Sequence, residues 1–202
     1  MIGIIDYGAG NLKNVYNALS RLGYESVITN DKKVLEKCDK LIIPGVGAFG
    51  DGMKGLKESN LIPFINKWVE DGKYLLGICL GMQLLFDKSY EMGEYKGLGY
   101  IKGEVVPFDI PKNYKVPHMG WNELIINHKN NIVNNIDDGE YVYFVHSFHA
   151  DKLDDNDLIA YSEYHYNVPA IVRHGNVIGM QFHPEKSDKT GNKLLINFLE
   201  EK

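Results

Sequence analysis

Long apolar runs are absent from this sequence, and cysteine is scarce. No stretch approaches the roughly 20 apolar residues that a helix needs to span a bilayer, so we expect no membrane partner. The first residues also lack the basic start and the cleavage site of a signal peptide. The two cysteines, Cys38 and Cys79, form no metal-binding pattern and need not pair. These absences favour a reducing, cytoplasmic setting.

A surplus of positive charge is missing as well. The chain has 22 Lys and Arg against 27 Asp and Glu, a net charge of −5, and no long run of like charges. Because nucleic-acid binding normally needs a basic patch, we expect no nucleic-acid partner. What remains is an ordinary globular composition, 44% hydrophobic and 24% charged. At 202 residues the chain suits one domain over 1–202.

Complete cofactor and metal patterns are missing too. Residues 2–5 predict a buried strand, and the Gly-Ala-Gly at 8–10 could begin a dinucleotide fingerprint. Lys13 stands where the third glycine would be, so we reject that cofactor. His146 and His149 could suggest a metal pair, but no carboxylate cluster accompanies them. We therefore expect a protein without cofactor or metal.

The chain does contain a nucleophile motif. Residues 77–81 read Gly-Ile-Cys-Leu-Gly. The apolar run at 73–76, just before this motif, predicts a strand, and the apolar residues at 80–86 recur with the spacing of a helix. A strand, a tight turn and a helix is the arrangement in which this motif presents a nucleophile. Free N–H groups at the start of a helix favour negative charge, which suits a thiolate at Cys79. A lone cysteine can equally be a small buried hydrophobe, and that interpretation stays open.

A second motif, Gln-Phe-His-Pro-Glu at 181–185, supplies what a thiol nucleophile needs. A base must take the thiol proton, and a third group must orient the base. His183 and Glu185 are two residues apart, so in an extended segment both side chains point the same way. Pro184 opposes a helix, which would separate them. The two motifs together predict a triad of Cys79, His183 and Glu185.

Strand and helix patterns alternate before the nucleophile motif. Strands are predicted at 2–5, 25–29 and 41–43, and helices at 12–22 (capped by Asn11), 34–37 and 53–70, the last broken near Pro63 and carrying Trp68 as a core residue. Six further strands follow, at 97–108, 121–126, 141–148, 158–164, 170–173 and 177–182, and then a closing helix around 194–199. Turns such as 174–176 fit antiparallel hairpins. The pattern predicts an α/β mixed sheet, parallel first and antiparallel later, with helices on both faces.

These motifs resemble those of the class I (triad) glutamine amidotransferases. The longer matches lie at 5–11, 44–49, 117–122 and 143–147, and they resemble the glutaminase subunits of imidazole glycerol phosphate synthase. The resemblance implies a single-domain, flavodoxin-like mixed sheet of the amidotransferase kind. It also implies that L-glutamine is hydrolysed to glutamate and ammonia through a thioester. The ammonia would pass to a synthase (cyclase) subunit, the partner in a heterodimer, for imidazole glycerol phosphate formation in histidine biosynthesis.

The residues that would bind substrate follow from the motifs and the resemblance. Leu80 N–H, directly after the nucleophile, is the first oxyanion donor to expect. The resemblance places the second on the loop that holds Val46 and Gly47. Gln83 lies one helical turn after Cys79, and the resemblance gives it a substrate-binding role; a surface amide is the alternative. The resemblance also assigns the amino-acid end of glutamine to His146, Ser147 and Phe148.

A partner interface is implied beside the triad. The resemblance places it on Asn11, Asn14, Trp121, Asn122, Tyr143 and Lys186. Tyrosine, tryptophan and a charged residue suit an interface hot spot. A core position for Trp121 and a solvated charge for Lys186 remain as alternatives.

Three other functions compete with this interpretation. A peptidase or hydrolase on a related cysteine-elbow fold is one, although some of those place histidine directly after the nucleophile, where this chain has Leu80. A binding module that keeps the fold without catalysis is another. The third is a glutaminase subunit that serves anthranilate, purine or pyridoxal phosphate synthesis. The ammonia acceptor cannot be read from the sequence alone.

Overall fold

The computed structural model describes residues Met1–Lys202 and contains six α-helices and fourteen strands. The helices are α1 (Leu12–Arg21), α2 (Lys32–Leu35), α3 (Phe49–Glu58), α4 (Ile62–Glu70), α5 (Leu80–Gln83) and α6 (Asp188–Glu200). The strands are β1 (Ile2–Ile5), β2 (Ser26–Thr29), β3 (Lys40–Ile43), β4 (Leu75–Ile78), β5 (Phe86–Ser89), β6 (Tyr95–Lys96), β7 (Ile101–Pro107), β8 (His118–Glu123), β9 (Ile125–Ile126), β10 (Tyr141–His146), β11 (Phe148–Asp151), β12 (Leu158–Tyr164), β13 (Tyr166–His174) and β14 (Val177–Met180). None of the helices is long and apolar enough to cross a membrane.

The largest sheet has eight strands in the order β2-β1-β3-β4-β14-β13-β12-β9. The first five run parallel, and the last three pair antiparallel. Every residue of β1, β3, β4 and β14 is buried, as parallel strands covered on both faces must be. The predicted mixed sheet is therefore confirmed, including the tight hairpin in which His174 pairs with Val177.

Two hydrophobic cores lie on opposite faces of this sheet. The apolar faces of α1 and α6 pack in the first core, and those of α2, α3, α4 and α5 pack in the second. Successive side chains of β3 point to opposite faces of the sheet, so Ile42 packs in the first core and Ile43 in the second. Trp68 is buried in the second core, as predicted. The expectation of helices on both faces is confirmed.

The predicted helix at 80–86 is wrong beyond its first turn. Helix α5 ends at Gln83, and Phe86 begins β5, which pairs with β7 and β6. Leu84, Leu85 and Phe86 are all fully buried, so the segment is apolar on every side. A short run of this kind shows no face from which helix and strand could be told apart.

The second half also forms three sheets where one was predicted. Strands β11, β7, β5 and β6 make a separate four-stranded sheet, and β10 and β8 make a two-stranded ribbon. The predicted strand at 141–148 breaks at Ser147, so that its two parts enter different sheets. The predicted strand at 121–126 begins earlier, at His118, and is interrupted at Leu124.

Two expectations about helix ends also need correction. The break predicted near Pro63 lies at 59–61, and Pro63 sits in the first turn of α4, where its missing N–H costs nothing. Asn11 occupies the N-cap position of α1, but its side chain makes no capping hydrogen bond.

The order of the central strands decides where chemistry can occur. Strands β3, β4 and β14 are parallel neighbours, so their carboxyl ends meet at one edge of the sheet. The segments that leave these ends are the loop at 44–47, the turn at Cys79 and the motif at 181–185. Open parallel sheets bind ligands at this kind of edge.

We expect Gly81→Ala to lower the free energy of unfolding by about 3 kcal/mol, measured by denaturant unfolding. A Cβ at Gly81 would overlap the carbonyl oxygen of Ile43, which is held in the sheet and cannot move away. Gly23→Ala is the matched control, because Gly23 has φ +83° but open space around it. It should cost only the backbone strain of about 1 kcal/mol. Equal losses in the two variants would mean that the approach at Gly81 does not constrain the fold.

Candidate active site

Cys79 stands on a sharp turn between β4 and α5. Its backbone has φ 55° and ψ −111°, a conformation that non-glycine residues rarely adopt. The flanking glycines make the turn possible, because a Cβ at Gly77 would collide with Gly81 and one at Gly81 would collide with Ile43. The Cys79 N–H donates to the Met180 carbonyl at 2.8 Å and fastens the turn to β14. The predicted strand–turn–helix arrangement is present, and Cys79 lies at its apex.

His183 and Glu185 follow β14, the strand next to that of Cys79. His183 Nδ1 lies 2.8 Å from Glu185 Oε1, and both side chains are almost completely buried. The segment is not extended as expected, since Pro184–Lys186 forms a 3-10 turn directly after His183. Proline fits the first position of such a turn. The predicted pair is therefore brought together by a tight turn rather than by an extended strand.

The electrostatics of His183 favour its charged form. Burial lowers its pKa, but the Cys79 and Glu185 side chains raise it by more, so the pKa rises to about 9. With Nδ1 occupied by Glu185, Nε2 is the nitrogen available for proton transfer, and it has no hydrogen-bond partner within the fold. Cys79 and His183 line the same pocket. At neutral pH His183 is therefore held as an imidazolium, in the same pocket as the Cys79 side chain.

This pocket has a volume of about 330 Å³, within the range of small-molecule sites. Its walls are Val46, Gly47, Cys79, Leu80, Gln83, Glu91, Pro117, Val145, His146, Ser147, Phe148 and His183. The sheet edge thus brings all the sequence-predicted oxyanion and substrate residues to one cavity. The backbone N–H groups of Val46, Gly47 and Leu80 donate to no other group of the chain, so they are free to bind a ligand oxygen.

Gln83 is buried in the pocket wall, so the alternative of a surface amide is wrong. Its Nε2 donates to the Phe148 carbonyl at 2.9 Å and to Gln181 Oε1 at 3.0 Å. Both amide protons are therefore used, and Gln83 can offer a ligand only its oxygen. Gln181 in turn approaches Cys79 Sγ with its Nε2, at 4.0 Å.

Two residues at the site were missed by the sequence analysis. Gln181 is fully buried between Gln83 and Cys79, and its place two residues before His183 was the available signal. Glu91 reaches the pocket from the loop after β5, and its Oε2 accepts the Phe49 N–H at the start of α3, at 2.7 Å. No sequence motif surrounds Glu91, so only the fold reveals it.

The histidines do not form a metal centre. No group of three or more His, Cys, Asp or Glu side chains is arranged to hold a metal ion. His146 donates from Nδ1 to the Phe148 carbonyl at 2.8 Å, and burial lowers its pKa to about 3, so it is neutral. His149 instead bonds the Ala150 carbonyl and the Tyr166 hydroxyl.

The comparison with known proteins agrees with this geometry. Residues 3–202 match the family model described as Glutamine amidotransferase class-I. The chain belongs to this family. It is 52% identical to "Imidazole glycerol phosphate synthase subunit HisH" of Lactococcus lactis, over 99% of this chain and 98% of that one. The protein of the same name from Aquifex aeolicus is 47% identical, with 96% and 94% covered.

Solved structures support the fold of this amidotransferase. A crystal structure described as a glutamine amidotransferase superposes with a TM-score of 0.78 at 24% identity, covering 98% of this chain and 97% of that chain. The structure of PurLQS from Thermotoga maritima gives the same TM-score and identity, with 98% and 96% covered.

The residues predicted to contact a partner lie near the turn Pro184–Lys186 or on the ribbon of β8 and β10 that packs beside it. Trp121 is 52% exposed, so its alternative place in the core is wrong. Its ring centroid lies 6.0 Å from that of Tyr143, and Lys186 Nζ lies 6.0 Å from the Tyr143 ring. Asn11 and Asn14 lie at the start of α1, which contacts the turn Pro184–Lys186. Asn122 is half-buried and turns its amide inward.

We expect Glu185→Gln to lower the pKa of His183 by about 1–3 pH units, measured by NMR titration of the imidazole ring. The neutral amide no longer attracts the imidazolium, while burial still opposes its charge, so the proton is lost at lower pH. Glu163→Gln removes an exposed carboxylate elsewhere and should leave the midpoint near 9. An unchanged midpoint in Glu185→Gln would contradict the orienting role of Glu185.

Proposed function

We propose that this chain is the glutaminase subunit of imidazole glycerol phosphate synthase. It hydrolyses L-glutamine to glutamate and ammonia and passes the ammonia to a synthase subunit in histidine biosynthesis. The observation that carries this proposal is that Cys79 and His183 line one pocket at the sheet edge while Glu185 bonds the far nitrogen of His183. Near-full-length identity of about 50% to synthase subunits supports the choice of ammonia acceptor. We take residues 1–202 to act as one glutaminase domain, since both cores share a single central sheet.

The reaction proceeds in two halves. Cys79 Sγ attacks the carboxamide carbon of glutamine, and His183 gives its proton to the departing nitrogen, so that the C–N bond breaks and ammonia leaves. A thioester remains on Cys79. His183 then takes a proton from water, whose oxygen attacks the thioester, and glutamate is released with the thiolate restored. Glu185 keeps the imidazole in one tautomer and stabilises its cation.

Negative charge on the reacting oxygen needs donors in place before it develops. Leu80 N–H lies directly after the nucleophile, and the free N–H groups of Val46 and Gly47 lie across the pocket. One lost donor of this kind can cost about 10²–10³ in rate. Val46 is β-branched and its side chain is 45% exposed, so a rotation of this loop meets backbone resistance but no packing against the core. Such a loop suits activation by a partner.

The amino-acid end of glutamine finds complementary groups in the same pocket. Gln83 offers a carbonyl oxygen and Glu91 a carboxylate, both suited to the α-ammonium group. The backbone of His146, Ser147 and Phe148 forms the opposite wall. Discrimination against a glutamine that follows another residue in a peptide is expected, because its α-nitrogen is then an uncharged amide.

The patch formed by Trp121, Tyr143 and Lys186 is the proposed docking surface for the synthase subunit. Ammonia released into water at neutral pH is mostly protonated and lost as a nucleophile, so the acceptor must cover the pocket mouth. The patch adjoins the turn that carries Glu185, and it joins two aromatic rings to a cation. We also propose a cytoplasmic location, supported by the two free thiols, Cys38 and Cys79.

We expect Cys79→Ala to abolish glutamine-dependent synthesis and to leave ammonia-dependent synthesis by the partner intact, because only ammonia production needs the thiol. The measurement uses the reconstituted complex with each nitrogen source, and glutamate release is followed in parallel. Cys38→Ala is the control, because Cys38 is the other buried thiol and does not line the pocket, and it should change neither activity.

Glutamate release at the wild-type rate by Cys79→Ala would remove the nucleophile assignment. A wild type that cleaves peptides or esters in preference to free glutamine would favour the hydrolase alternative. Labelling of Cys79 by iodoacetamide without any turnover would favour a binding module.

We expect Trp121→Ala to weaken partner binding by about tenfold or more, as hot-spot truncations do, with the melting temperature of the free chain little changed. Calorimetric titration with the synthase subunit gives the affinity, and a thermal melt gives the stability. Tyr16→Ala is the control, since Tyr16 is 40% exposed but lies beside Met1, at the opposite edge of the sheet. A large loss of stability with unaltered affinity would refute the docking role of Trp121.

A further inference from the structure

We infer that His118 is a positioning residue for the substrate wall, acting through a directional string of hydrogen bonds that runs from Asn122 to the Phe148 carbonyl. This inference rests on the proposed glutaminase function, because it assigns Phe148 to the glutamine pocket. His118 itself does not line that pocket. It lies on β8, the same strand as Trp121, and reaches the pocket only through His146.

The protons in this string have one possible arrangement. A carbonyl can only accept, so His146 Nδ1, 2.8 Å from the Phe148 oxygen, must carry hydrogen. His146 is neutral, so its Nε2 must be an acceptor. His118 Nδ1 lies 3.0 Å from that Nε2 and is therefore the donor. His118 Nε2 is left as an acceptor for Asn122 Nδ2, at 3.3 Å.

The far end of the string is fixed in the same way. The Glu123 N–H donates to Asn122 Oδ1 at 2.9 Å, which identifies that atom as the amide oxygen. Asn122 Nδ2 donates to the Glu163 carbonyl at 3.0 Å as well as to His118. Backbone groups thus set the direction at both ends, and each histidine between them is confined to its Nδ1–H tautomer.

Burial makes the string costly to break. His118 is 3% and His146 6% exposed. The His118 ring stacks between Phe144 and Tyr164, with centroid distances of 4.7 and 4.1 Å. Water therefore cannot replace a lost partner. Removing the His118 donor would leave His146 Nε2 as an unpaired buried acceptor, and the ring would move to satisfy it.

Movement of His146 would reach the substrate through Phe148. The Phe148 carbonyl accepts from His146 Nδ1 and from Gln83 Nε2, so it joins the string to the residue proposed to bind the α-ammonium group. None of these groups belongs to the proposed triad or to the proposed oxyanion donors. A fault in the string should therefore weaken glutamine binding more than it slows the chemical step.

The test compares three variants of the full chain, assayed with the synthase subunit. His118→Phe keeps a ring of similar size and removes both nitrogens, and it should raise the KM for glutamine about tenfold with kcat within about threefold. His118→Asn can place an amide nitrogen near the position of Nδ1, and it should bring KM back to within about threefold of wild type. His149→Phe is the matched control, a buried histidine in the same aromatic cluster but outside the string, and its KM should equal that of wild type.

A second measurement does not depend on activity. Ring ¹⁵N chemical shifts of the wild-type chain should report His118 and His146 both as Nδ1–H tautomers. A Nε2–H tautomer at either residue overturns the inference even if His118→Phe fails to fold. Equal KM values for His118→Phe and His149→Phe also overturn it. A wild type that does not hydrolyse glutamine, with the tautomers as stated, would instead reject the proposed function and leave the string in place.

Discussion

The turn at Cys79 depends on two backbones that approach each other without room for a side chain. Gly81, in the first turn of α5, lies directly against the carbonyl of Ile43 on the neighbouring strand. Only this approach lets the chain reverse at Cys79 with a positive φ, a strain of about 1–3 kcal/mol. Paired strands on both sides of β4 hold that strain in place. The position of the Cys79 thiol in the pocket wall is thus a product of the fold and not of the cysteine alone.

His183 and Glu185 are supported in a different way, by hydrogen bonds from the ribbon of β8 and β10. The His183 N–H donates to the Tyr143 carbonyl at 2.9 Å. Ser187 bridges the same two residues, because its hydroxyl donates to the His183 carbonyl and accepts the Tyr143 N–H. Strand β10, which carries Tyr143, is therefore part of the scaffold that holds His183. A subunit that docks on Tyr143 contacts the same strand that orients His183.

Those parts of the fold and site that have a local physical cause could be predicted from the sequence. The glycines around Cys79 and the His-Pro-Glu run signal steric and chemical needs within five residues, so the triad could be proposed before the structure. The end of α5 could not, because residues 84–86 are apolar on all sides. The break at Ser147 arises from pairing with two different sheets, which no local periodicity records. Glu91 in the pocket wall and Gln181 behind it are held by contacts that span 42 and 98 residues, so only tertiary structure reveals them.

The central place of β14 has a consequence for how the molecule forms. This strand, at 177–180, sits between β4 and β13, although more than ninety residues separate it from β4 in the chain. While the protein is being synthesised, β4 remains an open, apolar edge until residue 180 has left the ribosome. Cys79 is thus synthesised about a hundred residues before His183, so the proposed triad cannot assemble until the second of the two motifs has been made. The proposed site is complete only when β14 has paired with β4 at the centre of the sheet.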